Sequence, residues 1–316
     1  MRETADREIK SVAIVGTGIV GFSWAHLYSR NGLETRLYDP DRTNLEKGRQ
    51  NVVEALDLFR TLGLLDDEAR DAAVADLRVC DSLEEAVSGA DWVHENAPED
   101  LALKQGLFEE MDRLARPDAI LASSVSGSSM TSVSERTVHP ERCVVVRPTN
   151  PPHIIPYCEI IAGEKTSADV VARAREFMLR MGQSPAVVNK EVYGFVLNRL
   201  QFALIGEAIW LLREGVASLA DIDRCLTDGL AMRWAFTGPF LGEELNSANI
   251  EEEFRKYRDS FGEMWSSLER ITSLEERDIT LACEGIDEAL AGRSHDEVLE
   301  WRDRMILALR AQKGLL

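Results

Sequence analysis

Residues 12–21, VAIVGTGIVG, read as a buried strand that runs through three glycines into a helix. A second apolar run, TRLYD, ends on Asp39, eighteen residues beyond Gly21. Few folds accommodate that arrangement. Gly16 permits a tight turn, Gly18 lets backbone approach a pyrophosphate, and Gly21 lets helix and strand pack closely, with the helix amino terminus facing the phosphate charge. Asp39 is placed to accept hydrogen bonds from the adenosine ribose hydroxyls and to repel a 2′-phosphate, which points to NAD rather than NADP.

The rest of the first half supports a doubly wound sheet. Short β-rich runs (VAIVG, TRLYD, DLRVC, DWVHE, AILAS, RCVVV, CEIIA and PAVVN) alternate with helical patterns, which predicts a parallel sheet covered on both faces. A long helix is expected from Thr43 to Leu65, stopped by Gly63, and another from Ser167 to Gly182 with a serine cap. From about Lys190 the pattern turns wholly helical. We therefore expect an α/β Rossmann-type domain over 1–190 and an all-α domain over 191–316. The run YGFVLNRLQFALIGEAIWLLREG is apolar on nearly every face, as suits a core or a subunit interface. Ser218 with Asp221 should open the next helix, and charged amphipathic helices are expected around Ile250 to Leu274 and His295 to Gln312.

Composition narrows the partners. The 316 residues carry a formal charge of −19, which argues against nucleic acid, because phosphate backbones need clustered cations. No apolar stretch reaches the roughly 20 residues that cross a bilayer, and the charged start MRETADREIK is not a secretory signal. Five cysteines without paired spacing fit a reducing cytoplasm, and the histidines His26, His94, His139 and His295 have no ligand spacing, so no metal site is expected.

A hydride-transfer site needs a proton-exchanging group, polar groups to orient the reacting oxygen, and a substrate anchor. Candidates are Ser126 in the turn SSVSGSS, Arg147 opening RPTNPPHIIP, Glu159 twelve residues later, Asn198 in the apolar helix and Arg233 in GLAMRWAFTGP. Each has a plainer reading. Ser126 could cap a helix, Arg147 and Glu159 could form an ion pair that holds their loop, and Arg233 could stack on an aromatic ring. His94, ending a strand near the expected nicotinamide, is a further alternative.

The stretches VGTGIVG, ENAPEDLALK, the serine-rich turn, PTNPPHIIPYCE, GFVLNRLQ, DGLAMRWAFTGP and EWRDR run nearly end to end. Together they resemble the 3-hydroxyacyl-CoA dehydrogenase superfamily, in particular its L-gulonate 3-dehydrogenase/λ-crystallin branch. The resemblance implies NAD, a homodimer formed through the helical domain, and oxidation of a 3-hydroxy acid to a 3-keto acid. By position, Glu99 and Lys104 would contact the nicotinamide-side ribose region. Ser126 and Asn198 would orient substrate, Glu159 would partner the base, and Arg233 would bind the substrate carboxylate. A small anionic hydroxy or keto acid is expected in preference to a CoA thioester, and a non-catalytic NAD-binding protein is the reading from another class.

One position departs from the family pattern. Where that pattern opens H-P-x-N-P-P with histidine, this chain has Arg147, although Ser126, Glu159 and Asn198 keep their spacings of 21, 12 and 51 residues from it. A guanidinium, with a pKa above about 12, cannot accept a proton at neutral pH. Three readings follow. Arg147 stabilises an alkoxide while His153 exchanges the proton, with Glu159 or water as fallbacks. Alternatively, Arg147 and Arg233 clamp a dianion such as a dicarboxylate, phosphonate or sulfonate. In the third, the fold is reused without catalysis. A fixed cation in this position predicts a bias toward carbonyl reduction.

Overall fold

The computed structural model describes residues 8–246 and 249–315. It divides into two compact units, one running through Leu197 and the other spanning Asn198–Gly314.

The first unit is built on eight strands: β1 Ser11–Val15, β2 Glu34–Tyr38, β3 Leu77–Val79, β4 Trp92–Glu95, β5 Ile120–Ser123, β6 Cys143–Pro148, β7 Tyr157–Ala162 and β8 Ser184–Val188. Their order across the sheet is β3-β2-β1-β4-β5-β6-β7-β8. All eight runs picked out in the sequence form strands. The all-parallel expectation needs one correction, because β7 runs antiparallel to β6. The cause is length. Only residues 149–156 join the two strands, fewer than the dozen or so that a parallel crossover takes.

The helices of this unit are α1 Ile19–Arg30, α2 Arg42–Thr61, α3 Asp67–Ala75, α4 Leu83–Val87, α5 Leu101–Leu114, α6 Met130–Val133 and α7 Ala168–Arg180. They cover a sheet whose residues fall into two buried clusters, one on each face. Val12, Ile14, Trp24, Trp92, Ile160 and Phe177 mark the first, and Val93, Phe108, Leu121, Val145 and Ile161 mark the second. That double burial explains why β1, β5 and β6 read as near-continuous apolar runs rather than alternating ones. The expected helix from Thr43 ends at Thr61, ahead of Gly63, and α3, capped by the Asp66 side chain on Ala69 N–H, was not anticipated. Ser167 caps α7 through Val170 N–H, as its sequence position suggested.

The second unit contains α8 Leu197–Arg213, α9 Leu219–Arg224, a π-helical turn over Cys225–Leu230, α10 Ala231–Glu244, α11 Ile250–Lys256, α12 Arg258–Ser267, α13 Glu276–Leu290 and α14 His295–Gln312. Ser218 caps α9 through Asp221 N–H, and Ser294 forms a reciprocal capping box with Glu297 at the start of α14. The single helix expected from Ile250 is broken at Tyr257 into α11 and α12. Gly238, at φ 66°, kinks α10 one residue ahead of Pro239. Among the described residues, no helix is long and apolar enough to cross a membrane.

Candidate active site

The glycine-rich turn joins β1 to α1. Gly16 adopts φ 90° and donates its N–H to Tyr38 O at 2.8 Å. A Cβ on Gly21 would stand 1.9 Å from Gly16 O, so helix and turn pack with no room for a side chain. Gly18 is the opposite case, since a Cβ there would meet nothing within 4 Å, and as N-cap of α1 it supplies no side-chain cap. The first turn of α1 also lacks an acid. Space and the N–H groups of the first helical turn, which take no side-chain cap from Gly18, therefore coincide where a diphosphate would lie.

Asp39, just beyond β2, is fastened to this turn. Its Oδ2 accepts from Thr17 N at 2.9 Å and Thr17 Oγ1 at 3.3 Å, and its Oδ1 accepts from Asp41 N at 3.0 Å. The sequence reading overlooked Gly48, where a Cβ would come within 2.5 Å of Thr17 Cβ, so α2 presses directly on the turn. These residues fit a dinucleotide by charge, space and backbone donors.

A cavity of about 180 Å³ opens beside the turn, at the carboxyl ends of the parallel strands, where doubly wound sheets hold ligands. Val20 of α1 contributes to its wall, along with Asn96 and Ala97 after β4, Ser124 and Ser126 after β5, and Arg147 at the end of β6. Glu99, Lys104 and Asn150 complete the polar lining. Four sequence candidates, Glu99, Lys104, Ser126 and Arg147, thus meet at one cavity.

Each is held by a specific partner. Arg147, 8% exposed, donates from Nη1 to Glu159 Oε2 at 2.9 Å. The two residues are directly opposed across the antiparallel β6–β7 pair, so the strand reversal that the sequence did not announce is what brings them together. Glu159 is fully buried, and its other oxygen accepts Val196 N and Leu197 N, both at 2.9 Å. Glu99 accepts Ser126 N and Gly127 N at 3.2 and 2.9 Å, which shapes the serine turn. Ser126 is not a helix cap; Ser129 caps α6. Lys104 lies on the wall, but its Nζ binds Glu95 Oε1 at 2.7 Å and Ala97 O at 2.9 Å. Glu95, fully buried and also bound by Ser123 Oγ, was missed in the sequence because it looked like the last residue of a strand.

Two histidines require correction. His153 does not line the cavity. It is 5% exposed and packs in a ring cluster with His26 (centroids 4.9 Å), Phe22 (5.9 Å) and Phe59 (6.3 Å). Its six-residue separation from Arg147 gave no hint that the loop turns it toward α1 and α2. Burial, then the neighbouring His153 and Arg30, hold the His26 pKa well below the ordinary value. His94 is fully buried, and burial lowers its pKa to about 3, so it is neutral across the physiological range. Asn198, near the start of α8, and Arg233, exposed in the first turn of α10, belong to the second unit.

Residues 11–192 match the 3-hydroxyacyl-CoA dehydrogenase NAD-binding domain, and residues 194–270 match the 3-hydroxyacyl-CoA dehydrogenase C-terminal domain. The chain belongs to the 3-hydroxyacyl-CoA dehydrogenase family. It is an NAD-dependent dehydrogenase of the class that acts on CH–OH groups. It is 35% identical over 318 residues to L-carnitine dehydrogenase of Streptomyces coelicolor, covering 99% of this chain and 98% of that one. It is also 33% identical over 311 residues to the human lambda-crystallin homolog, covering 96% of both. Among solved structures, 5-formyl-3-hydroxy-2-methylpyridine 4-carboxylic acid 5-dehydrogenase, an NAD+-dependent dismutase, superposes with a TM-score of 0.82 at 30% identity, covering 97% of this chain and 99% of that one. (S)-3-hydroxybutyryl-CoA dehydrogenase from Ralstonia eutropha follows with a TM-score of 0.66 at 28% identity, over 70% of this chain and 78% of that one.

Proposed function

We propose that this dehydrogenase interconverts a small anionic 3-hydroxy acid and its keto acid, and that Arg147 stands where the family pattern has a histidine proton shuttle. The observation that carries the reading is Arg147, backed by buried Glu159, on the wall of the cavity beside the glycine turn. When bound, NAD supplies the site that accepts or donates hydride. The protein supplies the remainder. Gly16, Gly18, Gly21 and Asp39 hold the dinucleotide, Glu99 sets the turn that presents Ser126, and Ser126 orients the substrate oxygen. Arg147 offers a permanent cation to an alkoxide or carboxylate.

Arg147 cannot remove a proton, His153 is off the wall, and His94 is neutral inside the core. Glu159, the remaining candidate, has one oxygen bound by Arg147 and the other by Val196 and Leu197 N–H, so the proton is exchanged with water at the cavity, and carbonyl reduction is the favoured direction at neutral pH. Asn198 and Arg233 are assigned to substrate by their positions in the family pattern. A free acid is preferred to a CoA thioester because L-carnitine dehydrogenases match nearly the whole chain at 34–35% identity, while the 3-hydroxybutyryl-CoA enzyme matches 70% of it at 28%.

The chain is assigned as a cytoplasmic homodimer. Its five cysteines are free, in keeping with a reducing compartment. The helical unit shows large apolar side chains, with Leu200 64%, Phe202 65% and Phe240 71% exposed in the single chain. A second copy is the occupant that an apolar face of this size calls for.

NADH consumption across a panel of small 3-keto and 2-keto acids, phosphonates included, tests the reading against NAD reduction by the matching hydroxy acids. Faster reduction than oxidation at pH 7 is expected. Equal or faster oxidation would overturn the assigned direction, and NADH binding without turnover across the panel would overturn the substrate assignment. In Arg147→His, hydroxy-acid oxidation should rise relative to reduction. An unchanged ratio would show that Arg147 does not set the chemistry.

A further inference from the structure

The cavity wall contains a second polar device, built from residues that the sequence reading did not connect. Ser124 lines the cavity, yet its hydroxyl is fully engaged by the protein. It accepts from Trp24 Nε1 at 3.1 Å, faces His94 Nε2 at 3.1 Å and donates to Asn96 Oδ1 at 2.8 Å. Tyr28 OH, 2.8 Å from His94 Nδ1, and Val146 O, 3.1 Å from His94 Nε2, assign the tautomer of the neutral ring. Tyr28 donates to Nδ1, and the Nε2 proton is shared between Val146 O and Ser124 Oγ. A hydroxyl has one donor and two acceptor sites, so Ser124 has none left for a ligand.

Asn96 is what this network leaves facing the cavity. Its Nδ2 donates to His94 O at 2.8 Å while its Oδ1 takes the Ser124 proton, so both ends of the amide are assigned and it cannot flip without losing two hydrogen bonds. One Nδ2 hydrogen remains without an acceptor among the described contacts, on a residue of the cavity wall. Asn96 also abuts the glycine turn. Its N–H binds Val15 O at 2.7 Å, and a Cβ on Gly16 would lie 2.9 Å from its carbonyl carbon and oxygen.

We infer that Asn96 is a cofactor-positioning residue, its free N–H donated to an oxygen on the nicotinamide half of NAD, with Trp24, His94 and Ser124 fixing the orientation of the amide. The inference rests on the NAD assignment and is independent of which acid is the substrate. The acceptor class is the carboxamide oxygen of the nicotinamide ring, the part of the cofactor beyond the phosphates that the α1 terminus is assigned to hold.

Binding rather than turnover tests it. NADH affinity, measured by nucleotide fluorescence, is compared with ADP-ribose affinity, measured by calorimetry, since ADP-ribose lacks the nicotinamide ring. Asn96→Ala should weaken NADH about fivefold, the worth of one net hydrogen bond, and leave ADP-ribose within about twofold. Ser124→Ala, which frees the amide to rotate but leaves its donor in place, should weaken NADH by a smaller factor with ADP-ribose again unmoved. Unchanged NADH affinity in Asn96→Ala overturns the inference. An equal loss for both ligands also overturns it, because that would mark a disturbed glycine turn. Should Asn96→Ala fail to fold, Ser124→Ala decides alone, and equal NADH affinity in that variant and the parent refutes the proposal.

Discussion

The two units of this chain solve the burial problem differently. Almost every fully buried apolar side chain lies before residue 196, in the two clusters on the faces of the sheet, and Leu307 is the buried apolar residue of the helical unit among those described. Both units are rich in apolar residues, so composition does not separate them. Geometry does. A sheet with helices on both faces encloses its core within one chain. The helices of the second unit bury little of their apolar surface in the single chain and leave residues such as Phe202 and Phe240 outside. The first unit encloses its own core and holds the glycine turn, while the second leaves large apolar side chains exposed in the single chain.

That contrast can be attacked where the effects are largest. His94 is neutral in the folded core down to about pH 3, whereas in the unfolded chain it titrates near 6.5. Between those values the unfolded state binds more protons. Stability is therefore whole above about 6.5 and falls as pH drops through the window, by up to several kcal/mol. His26, lowered in the same direction, adds to the fall. Chemical denaturation at pH 7.5 and 4.5 should show the loss, and His94→Gln should flatten it. A pH-independent midpoint would contradict a closed first core.

Lys104→Met would leave Glu95 buried without its cation, at a cost of about 3–5 kcal/mol. It should lower the melting temperature while the molar mass stays that of the parent. The reverse is expected for Leu200→Glu with Phe202→Glu on α8. Light scattering should report a halved molar mass, while NADH binding by the first unit persists. If the double variant loses NADH binding in step with assembly, the two units are not separable in this way.

The smallest effect concerns Asp39. Asp39→Ser should narrow the preference for NADH over NADPH by about tenfold, roughly 1–2 kcal/mol, since one charged acceptor and its repulsion are removed. Equal discrimination in the variant would move cofactor choice elsewhere in the first unit.

Legibility followed the range of the interactions. The glycine turn and Asp39 could be read because each is set by local backbone need, and strands such as β1, β5 and β6 because double burial makes them near-continuous apolar runs. The serine caps of α7 and α9 were visible for the same local reason. His153 was misread because a loop of residues 149–156 can direct an imidazole either way, and here it goes to His26 and Phe59. Glu95 and Asn96 went unnoticed because their partners Lys104, Ser123 and Ser124 come from other elements.

By itself, then, the sequence determined the sheet, the dinucleotide turn and the presence of an arginine at residue 147. Where that arginine lies, opposite Glu159 and on the cavity wall with Ser126 and Asn96, was decided only when β7 reversed against β6 and three strand ends met. Short-range preferences are written in neighbouring residues. Contacts between distant elements depend on how the whole sheet closes, and no local pattern encodes that.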